Sequence, residues 1–350
     1  MMPGVRYLPM LRSKAGEAAA LAHLASPMRD HVVPVFHLTQ FPPATFAAAV
    51  SSAWNGRSMA LDGKFQCDMT GSTRDFESMF DQIGRGRVAL IPSIECHAFS
   101  DYLTAVRVLR GRYAPGVLVK ARPSQLHEVA AWCGAQDWPP DQIDLVVNLG
   151  DIAGFDPTAL ATVVRQGLLD HVPNPSSWRS LALAASAAPR DESGLLPGRN
   201  IVRRTEWTLW RVAAAAIPQS LDYADFSTAH PDLSDPPGYA ITKALVSVRY
   251  TACDEWIILR GSSVADDASN RMSTQYRAHA MALVADARFG GLRNCWADDQ
   301  IRKIAEGAPG GGSRSAWAAI ITSRHLSVVA NEINSSAQSG PRSRHRSAHV

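Results

Sequence analysis

Eight short apolar runs recur along the chain, most of them halting at a charged or hydrogen-bonding residue. They are VVPVFH at 32–37, SMALDGK at 58–64, VALIPSIE at 88–95, GVLVKAR at 116–122, IDLVVNLGD at 143–151, SLALAAS at 180–186, SLDYAD at 220–225 and ALVSVRY at 244–250. Continuous runs of this length fit parallel strands buried on both faces. Between them the pattern switches to helical spacing. The clearest case is GSTRDFESMFDQI, which puts Phe76, Met79, Phe80 and Ile83 on one stripe. Tyr102, Val106 and Leu109 form another stripe with Gly111 near its end, and RRTEWTLWRVAAAA at 203–216 reads as a helix carrying Trp207 and Trp210.

Strands and helices alternating every 25 to 40 residues or so predict βα units and an α/β fold, a (β/α)8 TIM-like barrel with a C-terminal helical extension. Strand one is expected at 32–37 and strand eight at ALVSVRY, as the first arm of a hairpin with EWIILRG. The Ala-rich SLALAAS has the weakest strand propensity, and its place in the alternation argues for it. The expected division is a barrel over 1–262 including that hairpin, helices packed on it over 263–336, and a disordered Ser/Arg/His tail over 337–350.

Composition narrows the class. The chain has 350 residues, 46% of them hydrophobic, and no apolar stretch approaches the ~20 residues of a membrane span. Its first residues lack the apolar core of a secretory signal, so a cytoplasmic protein without a membrane partner is expected. The five cysteines are scattered and form no CxxC pair, as expected of reduced thiols. A formal charge of +3 gives no support to a nucleic-acid partner.

In a barrel the C-terminal ends of the strands form the site. The ends of the runs supply His37, Asp62 with Lys64, Glu95, Lys120 with Arg122, Asn148 with Asp151, Asp222 with Tyr223, and Arg249 with Tyr250. Glu95, Lys120 and Asp222 are the candidate catalytic residues; His37, Asp62, Arg122, Asp151, Tyr223, Arg249 and Tyr250 are candidate ligand contacts. Carboxylates converging there suit acid–base work or a divalent cation, whereas Lys120, Arg122 and Arg249 suit an anionic small molecule. The same charges also fit structural ion pairs at a barrel rim. GxSxG, HExxH and a dinucleotide fingerprint are absent, and GAPGGGS lacks the Lys-Ser/Thr ending of a phosphate loop, so the motifs assign neither cofactor nor metal ligands.

Four stretches, YLPMLRSKAGEAAAL, DYADFSTAHP, VRYTACDEWIILRG, and WADDQIRKIAEG with SAWAAIITSRHLSVV, together resemble the beta protein family named after a protein of T4-like bacteriophages. The matching positions are Lys14, Gly16 and Glu17; Asp222, Tyr223, His230 and Pro231; Arg249, Tyr250, Thr251, Trp256, Arg260 and Gly261; and Trp317 with His325. The sequence departs from the pattern at Arg324-His325, where a His pair is usual, and at Ala297-Asp298 in place of Gly-Asp. The resemblance implies a phage-associated or phage-defence setting, and adds Lys14, Glu17, Tyr250, Arg260 and His325 as candidate ligand-binding residues.

Two functions follow as expectations. One is a barrel that binds a ligand at its mouth or a partner protein encoded nearby, with Trp207, Trp210, Trp296 and Trp317 as contacts unless they are buried against the barrel. The other is an enzyme using acid–base or metal-assisted chemistry on a phosphorylated or nucleotide-like compound, which requires convergent carboxylates with a Lys/Arg partner.

Overall fold

The computed structural model describes residues 5–113, 116–234, 245–264, 271–293, 295–309 and 312–338. The basic tail expected at 337–350 lies outside these residues beyond Gln338, as do parts of the Pro-rich and Gly-rich loops. Eight parallel strands close into a barrel in the order β1 (Tyr7–Arg12), β2 (Val35–His37), β3 (Ser58–Asp62), β4 (Ala89–Glu95), β5 (Val117–Ala121), β6 (Ile143–Asp151), β7 (Ser180–Ser186) and, past an excluded strand β8 (Gly198–Arg203), β9 (Asp222–Asp225).

Period-two alternation builds two apolar layers from these strands. Leu8, Met10, Val35, Ala60, Leu118, Val146, Ala182, Ala184, Ala224 and Phe226 fill the barrel. Tyr7, Leu11, Phe36, Leu61, Val119, Val147, Leu183 and Tyr223 join the larger cluster shared with the helices. The alanines of SLALAAS have a reason here: Ala182 and Ala184 are the small partners that let Leu and Met side chains from other strands fit inside a closed barrel.

The surrounding helices are α1 (Ala15–Ala22), the short α2 (Ser26–Arg29), α3 (Phe46–Ala53), α4 (Lys64–Thr70), α5 (Arg74–Gly84), α6 (Ser100–Tyr113), α7 (Leu126–Gly134), α8 (Pro157–His171) and α9 (Thr205–Ala216). The predicted stripe of α5 is buried at Phe76, Phe80 and Ile83, each such side chain contributing roughly 1.5–3 kcal/mol. In α8, Pro157 occupies the first turn and the Asp156 carboxylate accepts from Ala159 N at 2.7 Å.

Two strand assignments need correction. YLPMLR, outside the eight predicted runs, is the first strand, so 32–37 holds the second. SLDYAD is therefore the eighth, and it closes the barrel by pairing Ala182 with Asp222 on one side and Tyr7 with Tyr223 on the other. ALVSVRY is not in the barrel. It forms β10 (Leu245–Ala252), antiparallel to β11 (Glu255–Ser263), which pairs in turn with β8. The hairpin thus belongs to the extension, whose sheet borrows a strand from the segment after β7.

That sheet packs with α10 (Met272–Val284), α11 (Trp296–Ala305) and α12 (Arg314–Gln338) around Val246, Val248, Tyr250, Leu259, Leu283, Ile301 and Trp317, a second core. Helix α12 also lies against α1. A Cβ at Gly16 would sit 2.8 Å from Ala318 Cβ and 3.0 Å from Ser315 O, so the glycine of the Lys-x-Gly-Glu element lets the two helices touch. Among the described residues, no helix is long and apolar enough to cross a membrane.

Candidate functional site

Register sets the height of the mouth residues: His37 pairs with Asp62, and Glu95 with Lys120, across neighbouring strands. Four consecutive strands, β2 to β5, therefore deliver an imidazole, two carboxylates and an ammonium to one level. Lys120 Nζ lies 2.8 Å from Asp62 Oδ2 and 3.4 Å from Glu95 Oε1. Ser93 Oγ donates to Asp62 Oδ2 at 2.8 Å, and Lys64 N donates to Oδ1 at 3.0 Å. Tyr102 extends the support: it accepts from Gly63 N and donates to Ser93 O, both at 2.8 Å. The groups open onto a cavity of about 230 Å³, lined also by Phe65, Asp68, Asn148, Phe226 and the Pro231–Leu233 segment.

Burial makes these charges interdependent. It would by itself raise the Asp62 carboxyl, but Lys120, then His37 and the hydrogen bonds from Lys120 and Ser93, hold it at about 2. Burial would lower Lys120, and Asp62 and Glu95 instead raise it, so the ammonium persists. For His37, burial and then the Lys120 charge act together and bring the ring down to about 3. It is neutral at physiological pH, one ring nitrogen donating and the other accepting. Among the described residues both lack a partner, although the residue is only 4% exposed. Of the two carboxylates that hold Lys120, Glu95, with 37% of its side chain exposed, is the one a ligand can reach.

His37, Asp62, Glu95 and Lys120 thus meet at the mouth, as expected from their strand ends, with Lys64 and Asn148 beside them. Asp222, expected there too, sits instead at the opposite, N-terminal end of the barrel. There it accepts from Arg6 N at 2.7 Å and Arg6 Nε at 2.9 Å, while Arg6 Nη2 reaches Asp144 at 3.2 Å. Tyr223 points outward into an aromatic cluster with Tyr7, Trp207 and Trp210. Asp151 lies on the rim, 3.3 Å from His230 Nε2 and off the cavity wall. Arg122 is exposed just past β5, where its N–H donates to Gln125 Oε1.

The residues added by the family resemblance, and Arg249 from the run ALVSVRY, also fall elsewhere. Glu17 accepts from Arg12 N and so secures the turn from β1 into α1, at whose N-cap Lys14 stands. Arg249 clamps Glu192 at 2.8 Å and Thr228 O at 2.9 Å. Tyr250 donates to Asp298 Oδ1 at 3.0 Å under the guanidinium of Arg324, 4.6 Å from the ring centroid. Arg260 donates to Leu195 O at 2.8 Å beside a separate cleft of about 500 Å³ in the extension.

His325 is wholly buried between Thr251 Oγ1, 2.9 Å from Nδ1, and Asp225 Oδ2, 2.8 Å from Nε2. Burial holds this imidazole below its ordinary value, so the neutral ring donates from Nε2 to the carboxylate and accepts from the threonine at Nδ1. It joins extension to barrel. The tryptophans proposed as contacts are buried at 207, 210 and 317, and Trp296 stacks on His23 at 3.6 Å.

Sequence reasoning missed Ser93, Phe65, Asp68, Phe226 and Asp232. Ser93 and Phe226 were within reach of period two, since each lies two residues from a recognised strand position, Glu95 and Ala224. Asp232 comes from the loop after β9. Arg12 Nη2 donates to His230 O at 3.1 Å and Asp232 O at 2.7 Å, holding that loop over the mouth. Among the described residues, no group of three or more His, Cys, Asp or Glu is placed to hold a metal ion.

A family model described as Beta protein matches residues 7–331. No curated protein matches the chain in sequence. Among solved structures, PhdJ bound to substrate intermediate is similar over 95% of this chain and 97% of its own, at 11% identity and a TM-score of 0.30.

Proposed function

The chain belongs to the Beta protein family, and we propose that its barrel mouth is an active site for proton transfer on a small carbonyl compound. The observation that carries this reading is Lys120, buried between Asp62 and Glu95 at the wall of a cavity that a neutral, unpartnered His37 also lines. Glu95, the reachable carboxylate, takes a proton from the carbon next to the carbonyl. The C–H electron pair becomes the new C=C bond, and the carbonyl π pair moves to oxygen. Lys120 and His37, themselves buried, donate to that oxygen as its charge grows. Return of the proton to the same or the neighbouring carbon completes exchange or isomerisation without a co-reactant. Asp62 and Ser93 act through Lys120, as positioning residues.

The test is deuterium uptake from D2O at the carbon beside the carbonyl, followed by NMR over a panel of small aldehydes and ketones. Exchange that Glu95→Gln abolishes supports the reading. No exchange on any member, or equal exchange by the variant, sinks it.

A second reading, a partner protein docking on the mouth face, is favoured by exposed Phe41, Phe99 and Phe155. They are 82%, 40% and 60% exposed and sit on the loops after β2, β4 and β6. The phage-associated or defence role expected from the sequence belongs to this second proposal. Co-purification with products of neighbouring genes, lost on changing all three to Ser, supports it; retention of the partner by that variant refutes it.

A further inference from the structure

We infer that the ligand of the mouth is a small carbonyl compound without negative charge, neutral or bearing an ammonium, and that phosphate esters and carboxylates are turned away. This rests on the proton-transfer reading and departs from the anionic ligand that the lysines and arginines of the strand ends led us to expect. The charged side chains lining the cavity are Asp62, Asp68, Glu95 and Asp232 against Lys64 and Lys120, four negative and two positive, so the wall carries −2 with His37 neutral. Both cations are already engaged. Lys120 is held by Asp62 and Glu95, and Lys64 Nζ lies 2.6 Å from Asp68 Oδ2. Lys120 has one N–H left for a guest oxygen, so an entering phosphate would bring its charge beside Asp62 and Glu95 with neither lining cation free to neutralise it. Asp232 has its own partner, Arg190, at 2.6 Å, and that guanidinium does not line the cavity.

Two further features favour a neutral or cationic guest. The aromatic side chains of Phe65 and Phe226 form part of the wall, and such faces attract ammonium groups. His37, buried with both ring nitrogens unpartnered, offers a carbonyl oxygen a donor that adds no positive charge. Size limits the guest as well. About 230 Å³ is below the roughly 300 Å³ at which pockets for drug-sized ligands begin, so a guest of a few carbons is the fit.

Four three-carbon probes that differ mainly in charge test this on the full chain: aminoacetone, hydroxyacetone, pyruvate and dihydroxyacetone phosphate. Binding is measured by ligand-observed NMR, alongside deuterium exchange. We expect aminoacetone and hydroxyacetone to bind at least about tenfold more tightly than pyruvate or the phosphate ester. Asp68→Asn, which removes one negative charge and leaves Lys64 without its partner, should cut the aminoacetone-to-pyruvate ratio severalfold. Tighter binding of either anion, an unchanged ratio in the variant, or no binding by any probe at millimolar concentration overturns the inference. The two proposals fail separately. Preferential binding of aminoacetone without Glu95-dependent exchange removes the reaction but keeps the ligand class, and Glu95-dependent exchange on tightly bound pyruvate does the reverse.

Discussion

Lys120→Met isolates the interaction on which the site is built. Asp62 and Lys120 are both nearly inaccessible, 1% and 4% exposed, and 2.8 Å apart. The pair holds Asp62 at about 2 against an ordinary 3.8, and at 1.36 kcal/mol per unit that is about 2 kcal/mol of stability at neutral pH. Removing the cation forfeits this and leaves the burial penalty of the carboxylate opposed only by Ser93 and the Lys64 N–H, for a total loss of about 3–5 kcal/mol. Because the folded-state value is depressed, the contribution is present above about pH 4 and disappears as pH falls towards 2. Urea unfolding at pH 7, followed through the nine tryptophans, measures the loss. Asp62→Asn combined with Lys120→Met should recover most of it, because two neutral side chains replace an uncompensated charge. The reasoning fails if Lys120→Met lies within about 1 kcal/mol of the parent, or if the double variant is no more stable than the single one.

Three other outcomes follow from buried groups away from the mouth. His325→Ala strips Asp225 and Thr251 of a partner each and should cost roughly 3 kcal/mol, with hydrogen-exchange protection lost first in β10 and α12; uniform loss across the barrel would contradict it. Arg6→Met leaves Asp222 short of its counter-ion and should cost roughly 2 kcal/mol in urea unfolding, with the mouth's ligand binding unchanged, since the pair sits at the other end of the barrel. Glu206 is pushed up to about 7, chiefly by burial. Its unfolded state deprotonates first as pH rises, so stability falls between about pH 4.5 and 7 and stays lower above. Glu206→Gln should flatten that slope and stabilise the chain at pH 8 by roughly 3 kcal/mol, and an unchanged urea profile would refute it.

The barrel was legible because parallel strands buried on both faces leave runs of Val, Leu, Ile and Ala that survive any ambiguity about their ends. Where the barrel begins was not. YLPMLR carries Pro9 and ends in Arg12, and it becomes a strand only because Tyr7 to Pro9 find Tyr223 to Asp225 as partners far along the chain. With β1 missed, a replacement had to be found at the other end, and ALVSVRY was apolar enough to take the role. Strand direction was legible and phase was not. His37, Asp62, Glu95 and Lys120 lie at the ends of their strands and also fall on the inward phase; Tyr223, the second residue of β9, faces outward, and Asp222 faces inward at the wrong end. Gly16, Glu17, Tyr250 and His325, which carry the resemblance, mark a pattern without saying whether it belongs to a site or a joint, and packing distances decide for the joint.

The two halves of the barrel are consequently doing different things. The strand residues that meet at the mouth, His37, Asp62, Glu95 and Lys120, come from β2, β3, β4 and β5, neighbours in the sheet. The seam between β9 and β1, where the barrel closes, contributes no charged side chain to the cavity lining and takes the extension instead. Asp225 on β9 accepts from Tyr7 of β1 at 2.8 Å, across 218 residues of sequence, and from His325 of α12 at 2.8 Å on its other oxygen. One carboxylate thereby ties the first strand, the last strand and the C-terminal helix together. Closing the seam requires an ordering entropy that grows with the length of chain between the paired strands, and three short parallel pairings between β1 and β9 are a small return for it. The second core and α12, laid against α1 through Gly16, supply the missing burial at that edge. The extension is best understood as what holds a barrel with a short final strand shut. On this view, loosening the seam should blur the mouth only indirectly, through Arg12, which follows β1's inward phase and holds the His230–Asp232 loop above the cavity.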